Sequence, residues 1–186
     1  MDNTELAILA EKLRLSRAEV EDFHAPGTEF RIGKAVRLRE GRDVCLLSCG
    51  PITTRVLAAA ADLAAEGIRA SVLEVHTLKP LDEELIAGEL AACGAAVTVE
   101  EHSILGGLGS AVAELAAERC PVPVLRIGIR DVFGETGPYE RLLDEYGMAV
   151  KDITAAARSC LDLKTARRRK AGRRKAAHRP EKDNLG

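Results

Sequence analysis

Two carboxylates and a histidine stand directly before a glycine-rich turn in the stretch EEHSILGGLGSAVAELAAERC, positions 100–120. His102 could act as a general base whose pKa is tuned by Glu100 or Glu101. Because neighbouring side chains of a strand point to opposite faces, only one of these carboxylates would share a side with His102. The alternative is a polar histidine at a loop end that bonds to backbone or faces a partner.

The turn that follows contains Gly106, Gly107 and Gly109, and a helix is predicted to begin at residue 108. A helix N-terminus offers free N–H groups and the positive end of the helix dipole, so a phosphate could bind there. The spacing is G-G-x-G, which matches neither the dinucleotide fingerprint nor the P-loop, and no lysine enters the helix. Close packing of the strand against the helix is the alternative explanation of the glycines.

A second histidine, His76, follows the preceding predicted strand in EVHTLKPLD. If the two strands are neighbours in a parallel sheet, their ends bring His76 and His102 close together. Two histidines without a third ligand make a poor zinc site, and we predict no metal centre. The sequence also lacks the G-x-S-x-G nucleophile motif.

Composition restricts the class of protein. The 186 residues are 46% hydrophobic but only 3% aromatic, which is enough for one aliphatic core and argues against stacking platforms for single-stranded nucleic acid. The five cysteines form no C-x-x-C pair and are predicted to be buried free thiols in a reducing cytosol. The N-terminal segment does not resemble a secretory signal, and no apolar run approaches the roughly 20 residues of a membrane span. We therefore predict a cytoplasmic protein.

The elements that must position these residues alternate between strand and helix. Residues 2–22 are predicted to form two short helices. Strands are predicted at 30–41, 43–50, 68–75, 95–101 and 121–129, and helices at 53–67, 81–94 and 108–120, followed by two helices in PYERLLDEYG and KDITAAARSCL. Asp82 is the predicted N-cap of helix 81–94, and Gly94 its stop. This alternation predicts an α/β fold with three layers, in which helices cover both faces of a mostly parallel sheet.

Charge divides the chain into parts. Residues 1–163 contain 17 Lys or Arg against 27 Asp or Glu, whereas residues 164–186 contain ten basic residues and two acids. We predict a short helical extension and linker at 1–29, one α/β domain at 30–163, and a basic, disordered tail at 164–186. Such a tail could contact phosphates of RNA or DNA, but we expect a solvated extension and no nucleic-acid partner.

Several blocks in order along the chain resemble the C-terminal domain of the transketolase family. The resemblance runs from about Phe30 to Leu161 and is greatest to the C-terminal subunit of split prokaryotic transketolases. It rests on FRIGKAVRLREGRDVCLLSCG, LEVHTLKPLDEELI, TVEEHSILGGLGSAVAELAAE and VLRIGIRDVFGETGPYERLLDEYGMAVKDITAAA. The resemblance implies a five-stranded mixed sheet in which the first strand, FRIGKAVRL, runs antiparallel to the others.

The resemblance also implies a supporting role in catalysis. In the family, thiamine diphosphate and magnesium bind between a diphosphate-binding domain and a pyrimidine-binding domain, and residues 1–29 do not resemble the latter. We therefore expect no catalytic, cofactor-binding or metal-binding residue in this chain, and no activity from the chain alone. The full assembly, a homo- or hetero-oligomer with those domains on other chains, would hold thiamine diphosphate and magnesium and transfer two-carbon ketol units between sugar phosphates.

The blocks around the glycine-rich turn and DVFGETGPYERLL are expected to lie at an inter-domain or inter-subunit surface. The candidate contact residues are His76, Glu101, His102, Ser103, Gly106, Gly107, Gly109, Glu135, Thr136 and Tyr139. Other interpretations are a stand-alone interaction or scaffold module, a domain of a deoxyxylulose-phosphate synthase or of a 2-oxoacid dehydrogenase beta subunit, and a truncated gene product.

Overall fold

A computed structural model describes residues 23–177, and the side chains of residues 23–171. The elements are β1 (Val36–Arg39), β2 (Val44–Cys49), α1 (Thr53–Ala65), β3 (Ala70–Glu74), α2 (Glu83–Cys93), β4 (Ala96–Ser103), α3 (Leu108–Arg119), β5 (Val124–Ile129), α4 (Tyr139–Glu145) and α5 (Val150–Ala177). This confirms the alternation of strands and helices. The two helices predicted within residues 2–22 lie outside the described residues.

The five strands form one sheet in the order β1-β3-β2-β4-β5. β1 runs antiparallel to β3, with Val36 opposite Glu74, and the other neighbouring pairs are parallel. The mixed, three-layer α/β fold is therefore confirmed. The carboxyl ends of β2 to β5 and the amino end of β1 lie together along one side of the sheet, which we call the carboxyl edge.

Alternation along the strands builds a core on each face of the sheet. Leu46 belongs to the core beneath α1 and α5, whereas its neighbour Leu47 belongs to the core beneath α2 and α3. Both cores are dominated by fully buried Ala, Val, Leu and Ile. Asp82 caps α2 by accepting a hydrogen bond from the N–H of Leu85 at 3.4 Å, and Gly94 ends the helix in the left-handed conformation. The five cysteines, all within the described part, form no disulfide, and four of them are buried.

The first strand is shorter than the sequence pattern predicted. The apolar–polar alternation begins at Phe30, but pairing with β3 begins at Val36. A turn intervenes, in which the N–H of Lys34 donates to the carbonyl of Arg31 at 3.0 Å and Gly33 adopts a φ of +81°. The alternating pattern therefore continues through a turn that pattern alone cannot reveal.

The C-terminal helix is longer than predicted, because α5 continues over residues 164–177 of the segment expected to be disordered. Lys164 anchors this continuation by donating to the carbonyl of Asp43 at 2.8 Å. Beyond it, alanine, arginine and lysine have high helix propensity, which the apolar content used to predict disorder does not measure. Residues 178–186 lie outside the described part. None of the helices in the described part is long and apolar enough to cross a bilayer.

Candidate functional site

The carboxylate of Glu100 occupies the N-terminus of α3. The N–H of Leu108 donates to its Oε2 and the N–H of Gly109 to its Oε1, each at 2.8 Å, and the side chain is fully buried. These are the free N–H groups and the helix dipole that would otherwise attract a phosphate. The turn is thus an anion site filled by the chain's own carboxylate.

The glycines permit this arrangement. A Cβ at Gly107 would lie 2.0 Å from Oε2 of Glu100, and a Cβ at Gly109 would lie 2.8 Å from Oγ1 of Thr98. Gly106 adopts a φ of +75°, a conformation that side-chain-bearing residues resist, and its N–H donates to Oγ of Ser110 at 2.9 Å. Gly107 and Gly109 therefore provide close strand-to-helix packing, and Gly106 provides the turn.

His102 does not form an acid–base pair with the neighbouring carboxylates. Its ring is exposed, and its hydrogen bond within the described part joins Nδ1 to the carbonyl of Ser103 at 3.1 Å. Ser103 itself accepts a hydrogen bond from the N–H of Leu105 at 3.1 Å. His102 is therefore a solvent-facing residue near the end of β4 that bonds to backbone, which agrees with the less reactive of its two sequence interpretations.

Glu101, Tyr139 and Arg55 tie three elements together near the end of β4. The hydroxyl of Tyr139 donates to Oε1 of Glu101 at 2.7 Å. Burial raises the pKa of the Glu101 carboxyl despite this bond, and burial together with the Glu101 contact raises the pKa of the Tyr139 phenol. Arg55, on α1, donates to Asp144 at 2.7 Å and pairs with Glu140. This network fixes α4 against the sheet.

The sequence pattern pointed to Glu101 and Tyr139 but not to Arg55. The sequence did contain one signal for Arg55: it is the single charged residue in the alanine-rich start of its helix, TTRVLAAAA. The other two candidates of this region, Glu135 and Thr136, are exposed on the loop after β5. The N–H of Glu135 donates to the hydroxyl of Tyr146 at 2.8 Å, which holds this loop to the body.

His76 lies apart from His102. The strands that precede them, β3 and β4, are separated by β2, so the expectation that their ends are adjacent was wrong. His76 is nearly buried under Phe30, with ring centroids 5.4 Å apart, and its Nε2 lies 3.3 Å from the carbonyl of Arg31. Its Nδ1 and the hydroxyl of Thr77 are buried and have no hydrogen-bond partner among the described residues.

The sequence pattern also gave no sign of a set of exposed apolar side chains at the carboxyl edge. They come from the segments before β1, after β4 and after β5, and each is more than half exposed: Phe30, Ile32, Leu105, Val132 and Phe133. We call these five residues the apolar rim. Exposed apolar groups gathered on one side of a protein are typical of a contact surface. A search for helix or strand periodicity could not find them because they lie in three short loops that are far apart in the sequence.

Three observations bear on whether the described residues could hold a metal or a cofactor. The described residues contain no group of three or more His, Cys, Asp or Glu residues placed to hold a metal ion. One surface cleft has a volume of about 250 Å³, below the roughly 300–1,000 Å³ typical of ligand sites. Because Glu100 accepts the N–H groups at the N-terminus of α3, that turn does not fit the diphosphate of thiamine diphosphate.

Comparison with known proteins agrees with the fold. Residues 33–153 match the family model "Transketolase, C-terminal domain". The chain is 44% identical over 155 residues to the 6-deoxy-6-sulfo-D-fructose transketolase subunit SqwH of a Clostridium species, covering 83% of this chain and 48% of that protein. It is 42% identical over 129 residues to the 1-deoxy-D-xylulose-5-phosphate synthase of Syntrophotalea carbinolica, covering 69% of this chain and 20% of that protein.

A solved structure described as "Split gene transketolase, inactive beta4 tetramer" matches with a TM-score of 0.74 and 42% identity. The match covers 80% of this chain and 48% of the solved one. The chain thus spans about half the length of these two split-transketolase relatives, the Clostridium subunit and the solved tetramer subunit.

Proposed function

Because this chain belongs to the transketolase C-terminal domain family, we propose that it is the C-terminal module of a thiamine-diphosphate-dependent transketolase-type enzyme. It would act with diphosphate-binding and pyrimidine-binding domains carried on other chains. When bound to those domains, thiamine diphosphate supplies the chemistry that moves a two-carbon ketol unit between sugar phosphates. This chain supplies the contact surface on which those domains assemble.

The apolar rim is the observation that carries this proposal. Its five side chains project from three separate loops on the carboxyl edge, where the candidate residues His102, Ser103 and Glu135 also lie. Fully burying one large apolar side chain contributes about 1.5–3 kcal/mol, so a partner that covers the rim gains several kcal/mol. The unpartnered buried atoms Nδ1 of His76 and Oγ1 of Thr77, at the end of β3, also suit an edge that a second surface completes.

We assign a structural role, not a catalytic one, to two polar groups of the carboxyl edge, Glu100 and Arg55. Glu100 holds the turn that presents Leu105, and Arg55 holds α4, which follows the loop that presents Phe133. Neither group faces solvent as an unpaired acid or base. This arrangement favours a positioning role for the chain within the assembly.

The test combines this chain with the products of neighbouring genes that encode the cofactor-binding domains. We expect association by light scattering and ketol transfer that depends on this chain. The variant Leu105→Ser/Phe133→Ser should weaken association at least tenfold. Leu163→Ser is the control, because Leu163 is apolar and 49% exposed, close to the 55% of Leu105, but lies on α5. Equal ketol transfer with and without the chain would refute the proposal.

A second candidate is a domain of a 1-deoxy-D-xylulose-5-phosphate synthase, which the 42% identity to the Syntrophotalea carbinolica enzyme favours. The same reconstituted assembly distinguishes the two activities. Transfer of a ketol unit from a sugar phosphate or from 6-deoxy-6-sulfo-D-fructose supports the transketolase assignment. Formation of deoxyxylulose phosphate from pyruvate and a triose phosphate supports the second candidate.

A further inference from the structure

Helix α5 leaves the body of the protein as a basic arm. Its first half is packed, with Ile153, Ala157 and Cys160 fully buried, whereas every side chain from 165 to 171 is exposed. Four basic residues follow one another there, Arg167, Arg168, Arg169 and Lys170, and the sequence has no acid between positions 163 and 180. We call residues 165–177 the basic arm.

The distribution of charge around the arm distinguishes possible partners. Successive helical residues point about 100° apart, so four consecutive cations surround the helix instead of forming one stripe. A membrane-surface helix needs an apolar face, and no Val, Ile, Leu, Met or aromatic residue occurs between positions 164 and 180. A flat acidic protein surface would contact one stripe and leave the opposite cations unpaired. A nucleic-acid groove has phosphates on both walls, so it could contact cations on all sides of the helix.

The spacing of the charges also matches a duplex. Seven Lys or Arg occupy the nine positions from 167 to 175, which in a helix is one cation per roughly 2 Å. Duplex DNA carries one phosphate charge per about 1.7 Å of its axis, and its major groove, about 12 Å wide, admits a helix about 10–12 Å in diameter. The rest of the sequence, residues 1–163, carries a net negative charge that repels the same polyanion, so only the arm would lie against it.

We propose that the basic arm binds the backbone phosphates of duplex nucleic acid, without base specificity, in the major groove of B-form DNA. This differs from the solvated tail expected from sequence, because the observed helix spaces the cations regularly along its axis. The proposal is independent of the transketolase assembly, since the arm lies on α5 and the apolar rim lies in the loops of the carboxyl edge.

The test measures fluorescence anisotropy of a labelled 24-base-pair DNA duplex with the full chain between 50 and 200 mM salt. Seven phosphate contacts, one for each cation of positions 167–175, predict a salt slope of about −6.3 and roughly 6,000-fold weaker binding over this range. The variant Arg167→Gln/Arg168→Gln/Arg169→Gln/Lys170→Gln should reduce the slope by about 3.6 and weaken binding at 50 mM salt by at least 50-fold. The control, Arg167→Lys/Arg168→Lys/Arg169→Lys, should bind as the parent does, and circular dichroism checks that all three proteins are equally helical.

Three outcomes would overturn the proposal. The first is equal DNA affinity of the glutamine variant and the parent. The second is binding to phosphatidylserine vesicles or to polyglutamate at least as tight as to the duplex, which would assign the arm to a membrane or an acidic protein. The third is tighter binding to an RNA duplex of the same sequence, because the deep, narrow major groove of A-form RNA does not admit the helix as B-form DNA does.

Discussion

Replacing Glu100 with glutamine tests whether the glycine-rich turn is an internal cap or an open anion site. The carboxylate accepts two backbone hydrogen bonds at 2.8 Å from a fully buried position. Glutamine has one acceptor oxygen, so one N–H at the start of α3 would face an amide NH₂ and stay unpaired. A hydrogen bond to a charged group contributes about 1.5–3 kcal/mol, and an unsatisfied buried donor costs about 1–3 kcal/mol. We therefore expect Glu100→Gln to destabilise the protein by about 2–4 kcal/mol.

The assay is urea unfolding followed by far-ultraviolet circular dichroism. With a typical dependence on urea of about 2 kcal/mol per molar, the midpoint should fall by about 1–2 M. Glu101→Gln is the matched control, because its amide oxygen can still accept a hydrogen bond from the hydroxyl of Tyr139. We expect its free energy of unfolding to change by less than about 1 kcal/mol. His102→Ala should change stability by no more than about 0.5 kcal/mol, since the ring is exposed. An unchanged midpoint for Glu100→Gln would refute the internal cap.

Two further predictions concern the same edge. Gly107→Ala should destabilise the protein by about 3 kcal/mol, because its Cβ would lie 2.0 Å from the Glu100 carboxylate; Gly106→Ala should cost about 1–2 kcal/mol through its left-handed backbone alone. Equal urea midpoints for the two variants would contradict this account. Because the pKa of Tyr139 is raised in the folded state, its contribution to stability is present below about pH 10 and is lost as pH rises further. Tyr139→Phe should therefore flatten the alkaline loss of stability measured by urea unfolding between pH 9 and 11; an unchanged slope would exclude this coupling.

Patterns within short stretches of the sequence predicted most of the fold. Strand and helix alternation, the Asp82 cap and the Gly94 stop follow from periodicity and backbone preference, and all are present. The antiparallel first strand came from family resemblance, because no residue pattern of Val36–Arg39 specifies the direction of its neighbour. The length of α5 was missed because low apolar content was taken to mean disorder, although alanine, arginine and lysine form exposed helix well.

The roles of the residues in the candidate site were harder to predict, because they depend on the direction in which each side chain of β4 points. Glu100 and His102 are two residues apart, and regular alternation would place them on one face. The register of β4 with β5 is irregular between Val99 and Ser103, so alternation does not hold there. Glu100 turns inward to α3, whereas His102 reaches solvent. The burial and backbone hydrogen bonds of Glu100, together with the exposure of His102, therefore favour a structural cap over a catalytic pair.

Three polar groups of the carboxyl edge are engaged by other groups of the chain. A general acid or base must reach a substrate, yet Glu100 is engaged by two backbone N–H groups, Glu101 by Tyr139, and Arg55 by the carboxylates of α4. Each bond joins two elements of the chain and so fixes the loops between them. These loops present the apolar rim, with Phe133 fully exposed, among exposed charged side chains such as Arg31 and Asp131. Loops held in place by such bonds have less conformational entropy to lose on association, which supports the proposed role of this chain as a module that contacts other domains.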